Sequence, residues 1–501
     1  MSPKVYAPNV HLFAFSLQHS AASGDDADVK DKHWLWQTCN EIIHKIWQQK
    51  FDLMQWLDLE KEPDNPSVGL IKDDKQMELA PFAGEVIVDS QSSSLLIKGF
   101  AYPLRLYDSY GLWLNFRRPE IENDQRTEDV DIQILRQLNP DNCLLLTGSD
   151  RFLGETLIIT AWLSSEQDPQ DQKALKNLAD DCLKAFFPNN YPIPPFARSA
   201  TLFGNPIFEY GLFSHSLTNY HHILVWLFQD TEADEKLNSY QEQLLDLWFF
   251  RAKVVKAFQK SREVYEDTNK YYAKIEKEIN NLQQFNDDKI LTAEKLDEFS
   301  DKLKTLPKMA LDYANLLRYL EAYQNTIAIN GRNYADKLQQ IRGIIKDEDI
   351  SFLEKFSLDN CPDFQEQIKA ELGYFTHGSS LLDKAIASIR GRVEIDRTKS
   401  DRLAENKKEK SDRNLQISIL AVGTGIGAGG IMASSYTLVQ SDRLLTLVKT
   451  PVINRFTLSI AYSLLFGLAV GLLILGCDKI RQCFHQPKEG EGKGERKKGK
   501  G

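Results

Sequence analysis

The feature that most constrains this chain is a pair of uncharged runs near its C-terminus. Ile417 to Val439 is 23 residues without a charged side chain, and Phe456 to Cys477 is 22. A helix of about 20 apolar residues crosses the roughly 30 Å hydrocarbon core of a bilayer. Transmembrane helices are therefore expected over 415–439 and 456–477. The first run also contains Gly425-x-Gly427-x-x-Gly430, which fits a dinucleotide-binding loop. Such a loop needs a buried strand before it and an acidic residue about 20 positions on that can hold a ribose. Here "DRLAENKKEKSDRN" precedes it, and Asp442 sits in the linker to the second run. The helix reading is preferred, and no cofactor is expected.

Small residues mark one side of each expected span. Ala421, Gly425, Gly429 and Ala433 recur every four residues, as do Gly423 and Gly427, and the second run repeats the device with Ser459, Ser463, Gly467 and Gly471. In lipid, this spacing lets helix backbones approach closely. Two readings of that face stay open: it packs a hairpin or oligomer, or it lines a pore. Neither run carries an ionisable residue, so a proton relay or charged filter within the bilayer is not expected.

Basic residues set the orientation. A neck over 396–414 holds Arg397, Lys399, Arg402, Lys407, Lys408, Lys410 and Arg413, the connection 440–455 holds three basic residues, and the tail 478–501 holds eight. Both ends are then expected in the cytoplasm and the connection outside, in an integral protein of a bacterial inner membrane. The N-terminal "MSPKVYAPNVHLFAFSLQHS" has a short apolar run and no basic leader, so it is not read as a signal peptide. Of the net −10, neck, connection and tail carry +2, +2 and +4, which leaves −18 on residues 1–395. An acidic body over a basic collar suits an anionic inner leaflet and disfavours nucleic acid as a partner. Six cysteines without a CxxC pair fit a reduced, cytosolic setting.

Residues 1–230 read as a cytosolic α/β domain. Short β-like runs, among them "LFAFSL", "EVIVD", "SLLIKGFAYPLRLY", "GLWLNF", "CLLLTG", "TLIITAWL" and "HILVWLF", alternate with helices expected near Lys32–Gln49 and Asp171–Phe187. Pro103 and Tyr107 match Pro206 and Tyr210 in spacing, each followed by a Trp-Leu pair. This suggests a duplicated βαββ unit and a sandwich-like arrangement. The adjacent His221 and His222 point to opposite faces of a strand and cannot grip one metal together. No catalytic set and no metal site emerge, and the chain is not expected to be an enzyme.

Residues 231–414 read as long helices of a coiled-coil stalk. The last begins near Asp363 and carries a seam of Ile368, Leu372, Phe375, Ser379, Leu382, Ile386, Ile389 and Val393, spaced alternately four and three. Beyond Val393 the register reads Asp396, Ser400, Leu403, Lys407, Lys410 and Asn414 and turns polar, yet no Gly or Pro interrupts the chain until Gly423. One helix is expected to run from stalk to bilayer. The fold class is thus α+β: a sheet domain, a helical bundle and two transmembrane helices, ending in a basic, disordered tail.

The order of parts, a cytosolic α/β domain, long helices, a helix entering the first span, a short outer connection, a second span and a basic tail, resembles CorA-type magnesium channels. That family carries Gly-Met-Asn at the outer end of its first span, whereas the nearest string here is Gly430-Ile431-Met432-Ala433. The resemblance implies a homo-oligomeric, channel-like assembly and assigns no magnesium-selecting residue. The expected function is a cytosolic sensor coupled through a stalk to a channel-like or membrane-permeabilising pore, in one form a bacterial defence effector. Its trigger would be a cytosolic protein or a small molecule. The alternative is a membrane-anchored coiled-coil scaffold for a cytosolic partner, without transport.

Overall fold

The first strand shows what the sheet must be. In β1 (Lys4–Leu17) Val10, Leu12 and Ala14 point to one face and His11, Phe13 and Phe15 to the other, and all six are buried. A strand apolar on both sides needs cover on both sides. The structure, a computed structural model, describes residues 2–18, 33–61, 67–88, 93–165, 167–188, 191–211, 220–283, 292–345 and 349–403.

After β1 come β2 (Ser67–Gly69), β3 (Ala80–Val88), β4 (Ser93–Leu106), β5 (Ser109–Arg117), β6 (Ile121–Glu122), β7 (Gln125–Arg126), β8 (Val130–Asp131), β9 (Phe152–Trp162), β10 (Phe196–Leu202), β11 (Asn205–Tyr210) and β12 (His222–Phe228). Ten of these form one sheet in the order β10-β11-β12-β9-β1-β5-β4-β2, with β3 on β4 and β8 on β1, while β6 and β7 pair separately. Within the large sheet β12 runs parallel to β9 and the other pairs are antiparallel.

Helices α1 (Trp34–Trp47), α2 (Ile134–Gln137) and α3 (Gln172–Phe186) cover one face. In α1 the buried Leu35, Trp36, Cys39, Ile42 and Ile43 follow helical spacing. α3 starts at Asp171, whose carboxylate accepts from the Lys173 and Ala174 N–H groups, and it ends ahead of Pro188. Beyond α4 (Thr231–Ser239), the long helix α5 (Gln241–Gln283) covers the opposite face: Phe249 meets Phe15 at 5.5 Å between ring centroids, and Trp248 meets His222 at 5.6 Å. α6 (Ala293–Ile344), α7 (Ser351–Lys355), a π turn over Phe356–Asn360 and α8 (Cys361–Leu403) complete the described chain.

Three expectations are corrected. The sheet domain is one shared sheet between helices, but it is not built of two copies of one unit. Its halves share a spatial order, β9-β12-β11-β10 against β1-β5-β4-β3, but β12 is parallel to β9 whereas β5 is antiparallel to β1. The two halves are therefore not copies of one βαββ unit. "CLLLTG" is not a strand; its Leu144, Leu145 and Leu146 fill the core from an irregular segment. Finally, the fold as described is α+β with a sheet and long helices, without the two transmembrane helices: among the described residues no helix is long and apolar enough to cross a membrane. The long helices carry one apolar stripe among charged residues, a pattern that water solvates. The runs 417–439 and 456–477, with Ala421, Gly423, Gly425, Gly427, Gly429, Ala433, Ser459, Ser463, Gly467 and Gly471, lie outside the described residues.

The chain divides into two compact units, one of residues 1–266 and 319–372, the other of 267–318 and 373–501. The first contains the sheet. In the second, Tyr272 meets Tyr374 at 4.9 Å, the Tyr313 hydroxyl donates to the Phe375 carbonyl at 2.7 Å, and Lys302 pairs with Glu278 at 3.0 Å. Buried residues recur every seven positions: Leu247, Val254, Ser261, Thr268 and Ile275 on α5; Phe299, Leu306, Tyr313, Leu320, Ile327, Tyr334 and Ile341 on α6; Cys361, Ile368, Phe375, Leu382, Ile389 and Asp396 on α8. This is the heptad signature of coiled-coil helices.

Candidate functional site

The parallel pair β9 and β12 organises the polar chemistry. His222 faces Thr156 across the ladder, and the residues before them, His221 and Glu155, project to the other side of the sheet. The expectation that the two histidines point to opposite faces therefore holds. Each is tied into a different network.

Under α5, Glu209 of β11 is the centre of a buried charge cluster. Its Oε1 accepts from Arg251 Nη2 of α5 at 3.1 Å and from His222 Nε2 at 3.1 Å, while its Oε2 pairs with Arg198 Nε of β10 at 2.6 Å. Arg251 Nη2 also donates to the Tyr220 hydroxyl at 2.6 Å, and its guanidinium lies over the Phe356 ring at 4.3 Å. Since His222 Nε2 donates to a carboxylate, its Nδ1 accepts the Thr156 hydroxyl proton at 2.9 Å. Burial alone would raise the Glu209 carboxyl, but the His222 hydrogen bond and the charges of Arg251 and Arg198 hold it down at about 2. Burial first, then the Arg251 charge, lower His222 to about 4, against the pull of Glu209. The pair is a carboxylate beside a neutral imidazole. On the same sheet face His11 Nδ1 accepts from Trp113 Nε1 at 3.2 Å, and burial, aided by Arg117, lowers its pKa to about 3.

On the opposite face Glu155 Oε1 lies 2.9 Å from His221 Nδ1, and Glu155 Oε2 accepts the Leu146 N–H at 2.8 Å. Burial raises the Glu155 carboxyl, with His221 and the Leu146 N–H pulling the other way. His221 Nε2 lies 3.1 Å from the Tyr191 hydroxyl, whose ring stacks on Phe187 at 5.0 Å. A separate, open cleft of about 480 Å³ is lined by Lys61, Lys72, Asp73, Glu78 and Tyr102 among others. Lys61 Nζ donates to Asp73 there at 2.7 Å.

Of the residues singled out on the stalk, Ile368, Phe375, Leu382, Ile386 and Ile389 are buried, while Leu372, Ser379 and Val393 are half-buried. Asp396, where the register turns polar, is itself buried and has Arg392 Nε at 3.8 Å. Arg397, Lys399 and Arg402 fall within α8; Lys407, Lys408, Lys410 and Arg413 lie outside the described residues. Among the described residues no group of three or more His, Cys, Asp or Glu could hold a metal ion. Sequence reasoning singled out the two histidines but not Glu155, Tyr191, Arg198, Glu209 or Arg251. The histidine partners stand 66, 30 and 13 residues away along the chain, beyond any local pattern. No family model, curated protein or solved structure matches this chain.

Proposed function

We propose that the chain is an oligomeric effector in which the sheet domain senses a cytosolic trigger and the long helices pass the signal to residues 404–501, which act on a membrane as a channel-like or permeabilising element. A bacterial defence effector is the form this reading favours, with parts in the order of CorA-type channels. The observation that carries it is the Arg251–Glu209–His222 cluster. It ties the first long helix to the sheet through buried charges that cannot separate without a large free-energy change, as a relay between domain and helix requires. The cleft of about 480 Å³ offers room for a small-molecule trigger. The uncharged runs and their basic flanks support the membrane step.

The test is dye release from liposomes by the full chain, with its mass measured in nanodiscs. An assembly of four or more subunits that releases dye, with release lost in Gly425→Leu and Gly429→Leu, supports the reading. A monomer or dimer that releases nothing under any trigger overturns it in favour of the scaffold. The scaffold reading draws on the exposed Leu311, Ile329 and Tyr374 side chains of the long helices, which a partner could cover.

A further inference from the structure

The Glu155–His221–Tyr191 chain takes no part in the coupling described above, yet it has the form of a nucleophilic relay. Glu155 is buried, fixed by the Leu146 N–H and positioned at His221 Nδ1. An ionised carboxylate there accepts the hydrogen bond of the Nδ1–H, which keeps the proton on Nδ1 and leaves Nε2 as the acceptor, 3.1 Å from the Tyr191 hydroxyl. The nucleophile, its base and the group that orients the base thus stand in line. Tyr191 is half-buried, and the segment leading away from it exposes Ile193 and Phe196, at 44% and 40% of their full accessibility. Exposed apolar side chains two and five residues along the chain from the hydroxyl nucleophile suit an apolar acyl group.

We propose that Tyr191, with His221 as base and Glu155 as its positioning residue, takes up the acyl group of small esters with an apolar acyl chain. Tyr191 Oη bonds to the carbonyl carbon while its proton passes to His221 Nε2. The bond from that carbon to the alkoxy oxygen breaks, and the departing oxygen takes the proton from His221. Water, deprotonated by the same nitrogen, hydrolyses the tyrosyl ester, which frees the carboxylic acid and restores the Tyr191 hydroxyl. Burial, then the Glu155 charge, push the Tyr191 phenol above its ordinary value, so its proton must leave as the new bond forms. A base within hydrogen-bond reach permits that.

The experiment incubates the full chain with p-nitrophenyl butyrate, follows p-nitrophenolate release, and maps the acylated residue by mass spectrometry. The expected result is butyrylated Tyr191, with Tyr191→Phe abolishing that label and His221→Ala slowing acylation by about 10²–10⁴-fold. Added imidazole should restore the His221→Ala rate in part, which a purely structural histidine would not allow. Butyryl groups on lysines alone, or equal p-nitrophenolate release from Tyr191→Phe and the unaltered chain, would overturn the proposal. Neither result depends on a membrane, so this site and the effector reading stand or fall separately.

Discussion

At the scale of single residues, the fold keeps its strongest charges where water cannot reach them. Arg251 and Glu209 are 4% and 5% exposed. Removing one partner strands the other, so Arg251→Met is expected to cost about 3–5 kcal/mol, while Arg251→Met with Glu209→Leu recovers most of the loss. Urea denaturation of the two variants checks the pair; equal losses would mean that the cluster does not act as a unit. The histidines set the pH response. His222 at about 4 and His11 at about 3 both lie below the ordinary 6.5, so the unfolded chain binds their protons first as the pH falls. Their stabilising contribution is complete above pH 6.5 and is lost on acidification towards pH 4 for His222 and pH 3 for His11. Each adds a slope of about 1.4 kcal/mol per pH unit across its window. Glu209 acts in the same direction, but only between its ordinary 4.5 and about 2. Denaturation free energies at about pH 7, 6 and 5 should therefore fall by nearly 3 kcal/mol per unit below pH 6.5, and His222→Gln should halve that slope. A flat profile would show these histidines to be protonated in the folded state.

At the scale of elements, what could be read in the sequence was periodic and what could not was lateral. The seam from Ile368 to Ile389 was legible because a helix repeats its own buried face, and α1 and α3 fall where their apolar spacing put them. Strand direction was illegible, since matched Pro-x-x-x-Tyr spacing starting in β4 and in β11 says nothing about whether the next strands run parallel to their neighbours. Nor did the sequence show why Gly378 stands in the stalk. A Cβ there would lie 2.8 Å from both the Tyr272 ring and the Tyr313 hydroxyl, and Tyr313 is held by its bond to the Phe375 carbonyl. Gly378→Ala should therefore cost about 1–3 kcal/mol by overpacking. Tyr313→Phe removes the clashing oxygen, so it should cost less in the Gly378→Ala background than alone. Thermal melts of the four proteins close the cycle, and strict additivity would mean that the two residues do not meet.

At the scale of the whole molecule, the unit that holds the sheet is discontinuous: it leaves α5 after Glu266 and resumes on α6 at Tyr319. Within that unit Asp246 bonds Lys337 at 2.7 Å, and within the other Tyr272 and Tyr313 meet at Gly378. Further along the first unit Tyr323 of α6 lies near Lys260 and Glu263 of α5, so within it residue numbers rise along α5 as they fall along α6, which brings Glu266 close to Tyr319. Antiparallel neighbours lie about 8–10 Å apart. Four or five glycine and serine residues, at up to about 3.5 Å each, bridge that gap. A chain of residues 1–372 in which such a linker replaces 267–318 should therefore keep the sheet, the Arg251–Glu209–His222 cluster and the Glu155–His221–Tyr191 relay, all of which lie in the first unit. It is expected to unfold in one cooperative transition with the acid-dependent slope of the full chain. A gradual melt with dye-binding apolar surface would mean that the sheet domain draws its stability from residues 267–318 and beyond 372, and that the signal between sheet and helices is carried by a single folding unit.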